Sequence, residues 1–183
     1  MSNTLISNPN SLSIGVISDT HGLIRPEVIS VFQDVNQIIH AGDIDNFECM
    51  YSLQKLADVI AVRGNMDKGA WSKPLKTAEL VTLLGYNMYI LHDVGWLDLQ
   101  PEIADLHVVI SGHTHQPEVI EKNNVLFLNP GSAGPQRKGL PIALARMEMT
   151  YECIQVQIYH LNDKKGEFEP VSYSTYSSSK KIV

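Results

Sequence analysis

Long apolar runs are missing from this sequence, cysteine is scarce, and no run of lysine or arginine forms a basic stripe. Each shortage excludes a class. A membrane-spanning helix needs about 20 apolar residues in a row, and no stretch approaches that. Two cysteines, Cys49 and Cys153, are too few and too far apart for a disulfide framework and read as semi-buried free thiols. The formal charge of −6 argues against a chain whose main business is gripping nucleic acid, because such binders release counterions from phosphates with a basic face. The first ten residues are polar and lack the charged and apolar regions of a signal peptide. A cytoplasmic protein without membrane association is expected, with nucleic acid disfavoured as a partner. An acidic chain can still act on a phosphate ester where metal ions supply local positive charge.

What is present fits one globular domain. The chain has 183 residues, 44% apolar and 19% charged, enough to bury a core without a staple. Residues 1–11 read as a flexible leader, 12–171 as a single domain and 172–183 as a Ser-rich tail. No internal repeat is evident.

Along the domain, residues 14–17 form a short apolar strand that ends at Ser18-Asp19-Thr20-His21-Gly22. Pro26 suits the first turn of a helix with Val28, Ile29, Val31 and Phe32 available for its buried face. Ile38 and Ile39 make a second strand ending at His40-Ala41-Gly42-Asp43. A helix over 47–56 and a strand over 59–62 follow, the latter ending at Arg63-Gly64-Asn65. Strand ends of an open α/β sheet gather ligand groups, so these three loops should converge. The second half changes style. Residues 80–84 and 88–91 read as paired strands with His92-Asp93 at the exit. A helix before Asp105 leads to a strand over 108–110, which delivers Ser111-Gly112-His113-Thr114-His115. A hairpin turning at 121–124 and strands over 142–147 and 153–159 complete the pattern. Two stacked sheets with helices outside are plausible from this order.

Five strand ends thus present Asp19 and His21, Asp43, Asn65, His92, and His113 with His115. Oxygen and imidazole donors without thiolates suit Mn, Fe, Zn, Co or Ni rather than Ca. In Asp-x-His and His-x-His on an extended segment, alternate residues face one side, so each segment can offer two ligands. Seven donors exceed what one tetrahedral ion takes and suit two ions sharing a carboxylate. Gly42, Gly64 and Gly112 each precede a donor, where a missing Cβ permits close backbone approach.

The ordered series Asp19-x-His21, Gly42-Asp43-x-x-Asn46, Gly64-Asn65-x-Asp67, His92 and Gly112-His113-x-His115 resembles the calcineurin-like metallophosphoesterase family. The likeness is to its small single-domain bacterial and archaeal phosphodiesterases, which the run Asn129-Pro130-Gly131-Ser132 also matches, and it covers roughly residues 12–160. The resemblance implies a four-layer α/β/β/α sandwich of two mixed sheets flanked by helices. It implies one metal on Asp19, His21 and His115, a second on Asn65, His92 and His113, and Asp43 bridging both. Asp43, Asn65 and His92 are the catalytic candidates. Two divalent ions are expected, Mn first, with Ni, Fe, Zn or Co as alternatives, and a metal-bridging hydroxide attacking phosphorus in line. A small phosphate ester is the expected substrate, and a homo-oligomer, dimer or tetramer, is a possible state.

Two positions depart from the family pattern. Met66 stands where many members have a histidine able to protonate the leaving oxygen, which removes help worth about 10²–10⁴-fold at that position. Asp93 follows His92 where glycine is frequent. Of the remaining candidates, Asn46 reads as structural, and Asp67 equally as a partner behind a ligand or a turn residue. His40 reads as a packed histidine near Asp43, and His107 and His160 as core or surface residues. Trp71 and Trp96 read as packing rather than pocket wall, and Arg137 as solvent-exposed rather than phosphate-binding. Phosphodiesterase activity is the leading expectation. The alternatives are a phosphomonoesterase of the same fold, or a metal-binding interaction scaffold resembling a retromer coat subunit.

Overall fold

The structure, a computed structural model, describes residues 10–177. Two mixed sheets pack face to face. The first has the order β11-β10-β9-β1-β2-β3 and the second β4-β5-β6-β8-β7. In chain order the elements are β1 (Ser11–Ile17), α1 (Pro26–Phe32), β2 (Gln37–His40), α2 (Phe47–Gln54) and β3 (Asp58–Ala61), then β4 (Ala78–Leu83), β5 (Tyr86–Leu91) and β6 (Val108–Ile110). They close with β7 (Glu118–Lys122), β8 (Val125–Asn129), β9 (Ala143–Thr150), β10 (Ile154–Asn162) and β11 (Glu167–Tyr176).

Period-two alternation explains the layering. On β1, Ile14 and Val16 face the second sheet and join Ile39, Tyr86, Met88, Ile90, Val108, Ile110, Met147 and Ile158 in the shared core. Ile17, on the opposite face, packs with Val28 and Phe32 of α1, Ile38 of β2 and Leu53 of α2. β1–β2–β3 are parallel and joined through α1 and α2, so all three strands point their C-terminal ends the same way. β5, β6 and β8 are likewise parallel, so His92 and Ser111 leave the second sheet side by side.

The α/β sandwich of two mixed sheets is therefore as expected, and three details differ. The helix expected before Asp105 is a set of turns over residues 101–105. Asp105 itself lies at φ 56°, a left-handed conformation that ends any helix, and too few residues separate it from Pro101. The outer face of the second sheet is covered instead by these turns and a single 3₁₀ turn, Val94–Trp96, around Leu91, Leu106, Val109 and Val125. Next, β11 takes residues 172–176 of the expected tail into the first sheet. Its serines are carried by backbone pairing with β10, and only Phe168 and Tyr176 are buried, which left little alternation to detect. Finally, Ser11 already opens β1. Residues 1–9 of the expected leader and 178–183 of the tail lie outside the described residues. Among the described residues, no helix is long and apolar enough to cross a membrane.

Gly15, central in β1, is pressed by the Phe32 ring, and a Cβ there would lie 2.9 Å from three ring atoms. Gly15→Ala should lower the unfolding free energy by about 1–3 kcal/mol through overpacking. A urea titration with an unchanged slope and no fall in midpoint would contradict this packing.

Candidate metal centre

The loops after β1, β2, β3, β5 and β6 meet at one end of the sandwich, and backbone hydrogen bonds lace them together. The Asp19 N–H donates to Gly42 O, His21 N–H to Asp43 O, and Gly112 N–H to His92 O, at 3.0, 3.0 and 2.9 Å. The loops are not extended as the alternation argument supposed. Asp19, His21, Asp43, Asp45, His113 and His115 all lie at φ between 45° and 73°. Such left-handed backbone is unfavourable for most residues and gathers at functional sites. Here it turns each segment inward, so paired side chains meet through tight turns rather than through strand alternation.

The seven side chains named from the sequence form one continuous cluster. The Oδ1 atom of Asp19 lies 3.2 Å from His115 Nε2 and 3.9 Å from His21 Nε2, and the two imidazole nitrogens are 3.4 Å apart. On the other side, His92 Nε2 lies 3.0 Å from Asn65 Oδ1 and 3.3 Å from Asp43 Oδ2. His113 Nδ1 lies 3.2 Å from the same Asn65 oxygen. The carboxylates of Asp19 and Asp43 stand between the two histidine groups, and both belong with His92 to one compact donor set.

These separations fit metal coordination. Donors about 2.0–2.2 Å from a common ion, at the angles of tetrahedral or octahedral geometry, lie roughly 3.0–3.5 Å from one another. The hydrogen bonding points the same way. Asp19 Oδ2 accepts from the Ser18 hydroxyl at 2.7 Å and the His113 N–H at 3.0 Å. Its Oδ1 is buried with no hydrogen-bond partner, a costly state for a carboxylate unless a cation meets it. His92 Nδ1–H donates to the Ala41 carbonyl at 2.8 Å, which turns the Nε2 lone pair toward Asp43 and Asn65. Asp45 lies 3.4 Å from His21 Nδ1 and Asp93 3.6 Å from His113 Nε2, each behind the nitrogen that faces the cluster.

Electrostatics follow from these contacts. Burial alone would raise the Asp19 and Asp43 carboxyls. Their neighbours outweigh it and hold both below the usual range, the adjacent His115 imidazole and the Ser18 hydroxyl for Asp19, the adjacent His92 imidazole and the Met66 N–H for Asp43. Burial would lower His92, but Asp43 and the Ala41 carbonyl raise it above its ordinary value. Both carboxylates are thus ionised at neutral pH, as cation donors must be.

The domain model of the calcineurin-like phosphoesterase superfamily matches residues 12–152. The chain belongs to this superfamily. It is 37% identical over 135 residues to a probable metallophosphoesterase of Methanocaldococcus jannaschii, covering 67% of this chain and 68% of that protein. A phosphodiesterase of the same organism is 30% identical over 148 residues, covering 71% and 89%. The structure of vacuolar protein sorting 29 from Cryptosporidium parvum superposes with a TM-score of 0.79 at 20% identity, covering 92% of this chain and all of that one, a likeness of fold.

Within this phosphoesterase chain, other sequence candidates find structural places. Asn46 caps α2 by accepting the Cys49 N–H at 2.9 Å. Trp71 packs beside Ile44, Cys49 and Met50. His107 accepts the Asn87 N–H in the second sheet, away from the cluster, and His160 lies on β10. Met66 is half-exposed beside Asp43, its N–H on Asp43 Oδ1 at 2.8 Å.

Asp67 is the residue whose weight sequence reasoning missed. Its buried carboxylate accepts four backbone N–H groups, from Asp43, Ile44, Asp45 and Gly64, at 2.7–3.0 Å. It clamps the loop bearing Asp43 to the loop bearing Asn65. The spacing Gly64-x-x-Asp67 was visible, but the chain offers no sign of which amides a carboxylate will find. Gly64 lies within the clamp, where a Cβ would fall 2.1 Å from Asp43 Oδ1. Asp67→Asn should destabilise the metal-free fold by about 2–4 kcal/mol, since an amide presents hydrogens to at least two of these donors. Chemical denaturation checks this, and a loss under about 0.5 kcal/mol, the size of an ordinary surface substitution, would refute the clamp.

His40 generates a pH prediction. It is fully buried, its Nε2 3.0 Å from the Thr20 hydroxyl and its Nδ1 without a partner. Burial lowers its pKa to about 4, and the negative charges of Asp67 and Asp19 restore only part of the shift. The unfolded chain then binds a proton that the native state refuses. Stability contributed by neutral His40 is full above pH 6.5 and falls by about 3 kcal/mol as pH drops toward 4. Urea midpoints of the metal-free protein at pH 7, 6, 5 and 4 should fall more steeply than those of His40→Gln. Parallel curves would contradict the buried neutral imidazole.

Proposed function

We propose that this chain is a binuclear metal-dependent phosphodiesterase. Asp19, His21 and His115 hold one divalent cation, Asn65, His92 and His113 hold the other, and Asp43 lies between them. The donor spacing and the unpartnered Asp19 oxygen carry this reading, and membership of the phosphoesterase superfamily supports it. Mn is the first choice among ions suited to imidazole, amide and carboxylate donors, with Ni, Fe, Zn or Co behind it.

When bound, the ions supply positive charge that acidifies a water and stabilises phosphoryl oxygens. The protein's own part is placement. Hydrogen bonds from Ser18, His113 and Met66 fix the two carboxylates, the Ala41 carbonyl fixes the tautomer of His92, and the Asp93 carboxylate lies 3.6 Å from His113 Nε2. Met66 offers no proton to a leaving group, which favours esters whose leaving oxygen is already acidic. The 30% identical phosphodiesterase relative supports diester over monoester as the substrate.

Chelator-treated protein should be inactive on an aryl phosphodiester and regain activity with added Mn. Asp43→Asn should lose at least about a hundredfold under the same conditions. Faster turnover of the matching aryl monoester would overturn the diester preference. Two bound metals with no hydrolysis of either ester would instead favour a scaffold.

A further inference from the structure

Arg137 sits on the loop that follows Asn129-Pro130-Gly131-Ser132, and its side chain reaches back over the cluster. Nη2 lies 3.4 Å from Nε2 of His21, the nitrogen that also faces His115 and Asp19. The loop's base is firmly seated. The Ser132 hydroxyl donates to the Asp19 carbonyl at 2.9 Å, and Arg25 Nη2 donates to the Gly134 carbonyl at 3.1 Å. Gly134 packs so closely that a Cβ would lie 2.4 Å from the Thr20 carbonyl oxygen. The Leu140 N–H closes the loop onto the Arg137 carbonyl at 3.1 Å. Arg137 therefore stands over the segment that carries Asp19 and His21 by construction.

Its charge has no carboxylate counterpart among the described residues. Among the described residues, the cation–carboxylate pairs are made by Lys76, Arg146, Lys165 and the histidines, and no carboxylate lies within 4.0 Å of the Arg137 guanidinium. A guanidinium is always protonated and has donors only. Placed against His21 Nε2 it occupies the side of the imidazole where a divalent cation would bind, and two cations cannot share one lone pair. With the metal centre filled, Arg137 must swing off the imidazole yet remain beside a concentration of positive charge. The side chain is exposed, so water can meet its donors, but an anion with oxygens spaced for the planar fork meets both the donors and the charge, and a phosphoryl group is such an anion.

We propose that Arg137 is a substrate-binding residue that donates hydrogen bonds to a phosphoryl oxygen of the ester and of the phosphate product. This rests on the metal-centre reading above. It also gives the acidic chain a protein-borne cation beside the cluster, on a side chain that is exposed as its sequence position suggested.

Inorganic phosphate is the probe, titrated calorimetrically into Mn-loaded wild type and Arg137→Ala, with Mn content measured on the same samples and thermal unfolding as a check of fold. Arg137→Ala should take up Mn at least as tightly as wild type, because a repelling charge has gone from beside His21. It should bind phosphate on the order of tenfold more weakly or worse, the loss expected for a hydrogen bond between charged groups. Equal phosphate affinity at equal Mn content would overturn the role of Arg137 and leave the metal centre intact. A wild type that takes up no Mn would overturn the metal centre itself, and the proposal for Arg137 with it.

Discussion

One buried carboxylate holds the centre together. The loops after β2 and β3 leave their sheet beside each other but pass beyond the last strand hydrogen bonds, where backbone N–H groups have no ladder to join. Asp67 takes four of them at once. Hydrogen bonds to an ionised acceptor are stronger than neutral ones, and their geometry is set by two fixed oxygens. Asp43 and Asn65 are thereby locked at a spacing that neither loop could keep alone. The same clamp draws Gly64 onto Asp43 closely enough that no side chain fits at position 64. Left-handed backbone at Asp43 and Asp45 is tolerated because these bonds over-determine it.

The remainder of the centre repeats that logic at smaller scale. Ser18, the His113 N–H and the Met66 N–H orient the carboxylates, while the Ala41 carbonyl, Asp45 and Asp93 stand behind histidine nitrogens. Negative charge is concentrated in the cluster itself, and Arg137 is the cation poised above it. Such a distribution suits a site whose positive charge arrives with its ions, and it accounts for a phosphoesterase with an acidic overall balance.

Much of this was legible along the chain. β1, β2 and β3 with the helices between them were plain because buried parallel strands read as short apolar runs ending in glycine and polar residues. The order of Asp19, His21, Asp43, Asn65, His92, His113 and His115 was enough to suggest both family and chemistry. Other features were harder. The segment 101–105 forms turns where a helix was expected, because it is short and Asp105 lies in left-handed backbone. β11 is a strand held chiefly by backbone pairing, so its exposed serines gave no alternation to follow.

The sequence by itself determined which donors exist, that they are oxygen and imidazole without thiolate, and that each follows a strand, because these depend on residue type and local pattern. Tertiary structure alone decided which amides Asp67 gathers, how the donor loops turn inward through left-handed backbone and where Arg137 points. Those outcomes come from contacts between residues 20 to more than 110 positions apart, such as Asp67 with Asp43, His113 with Asp19, and Arg137 with His21. Pairings at that distance are set by how the sheets stack and where the loops close, and a linear pattern of residue types does not encode them locally.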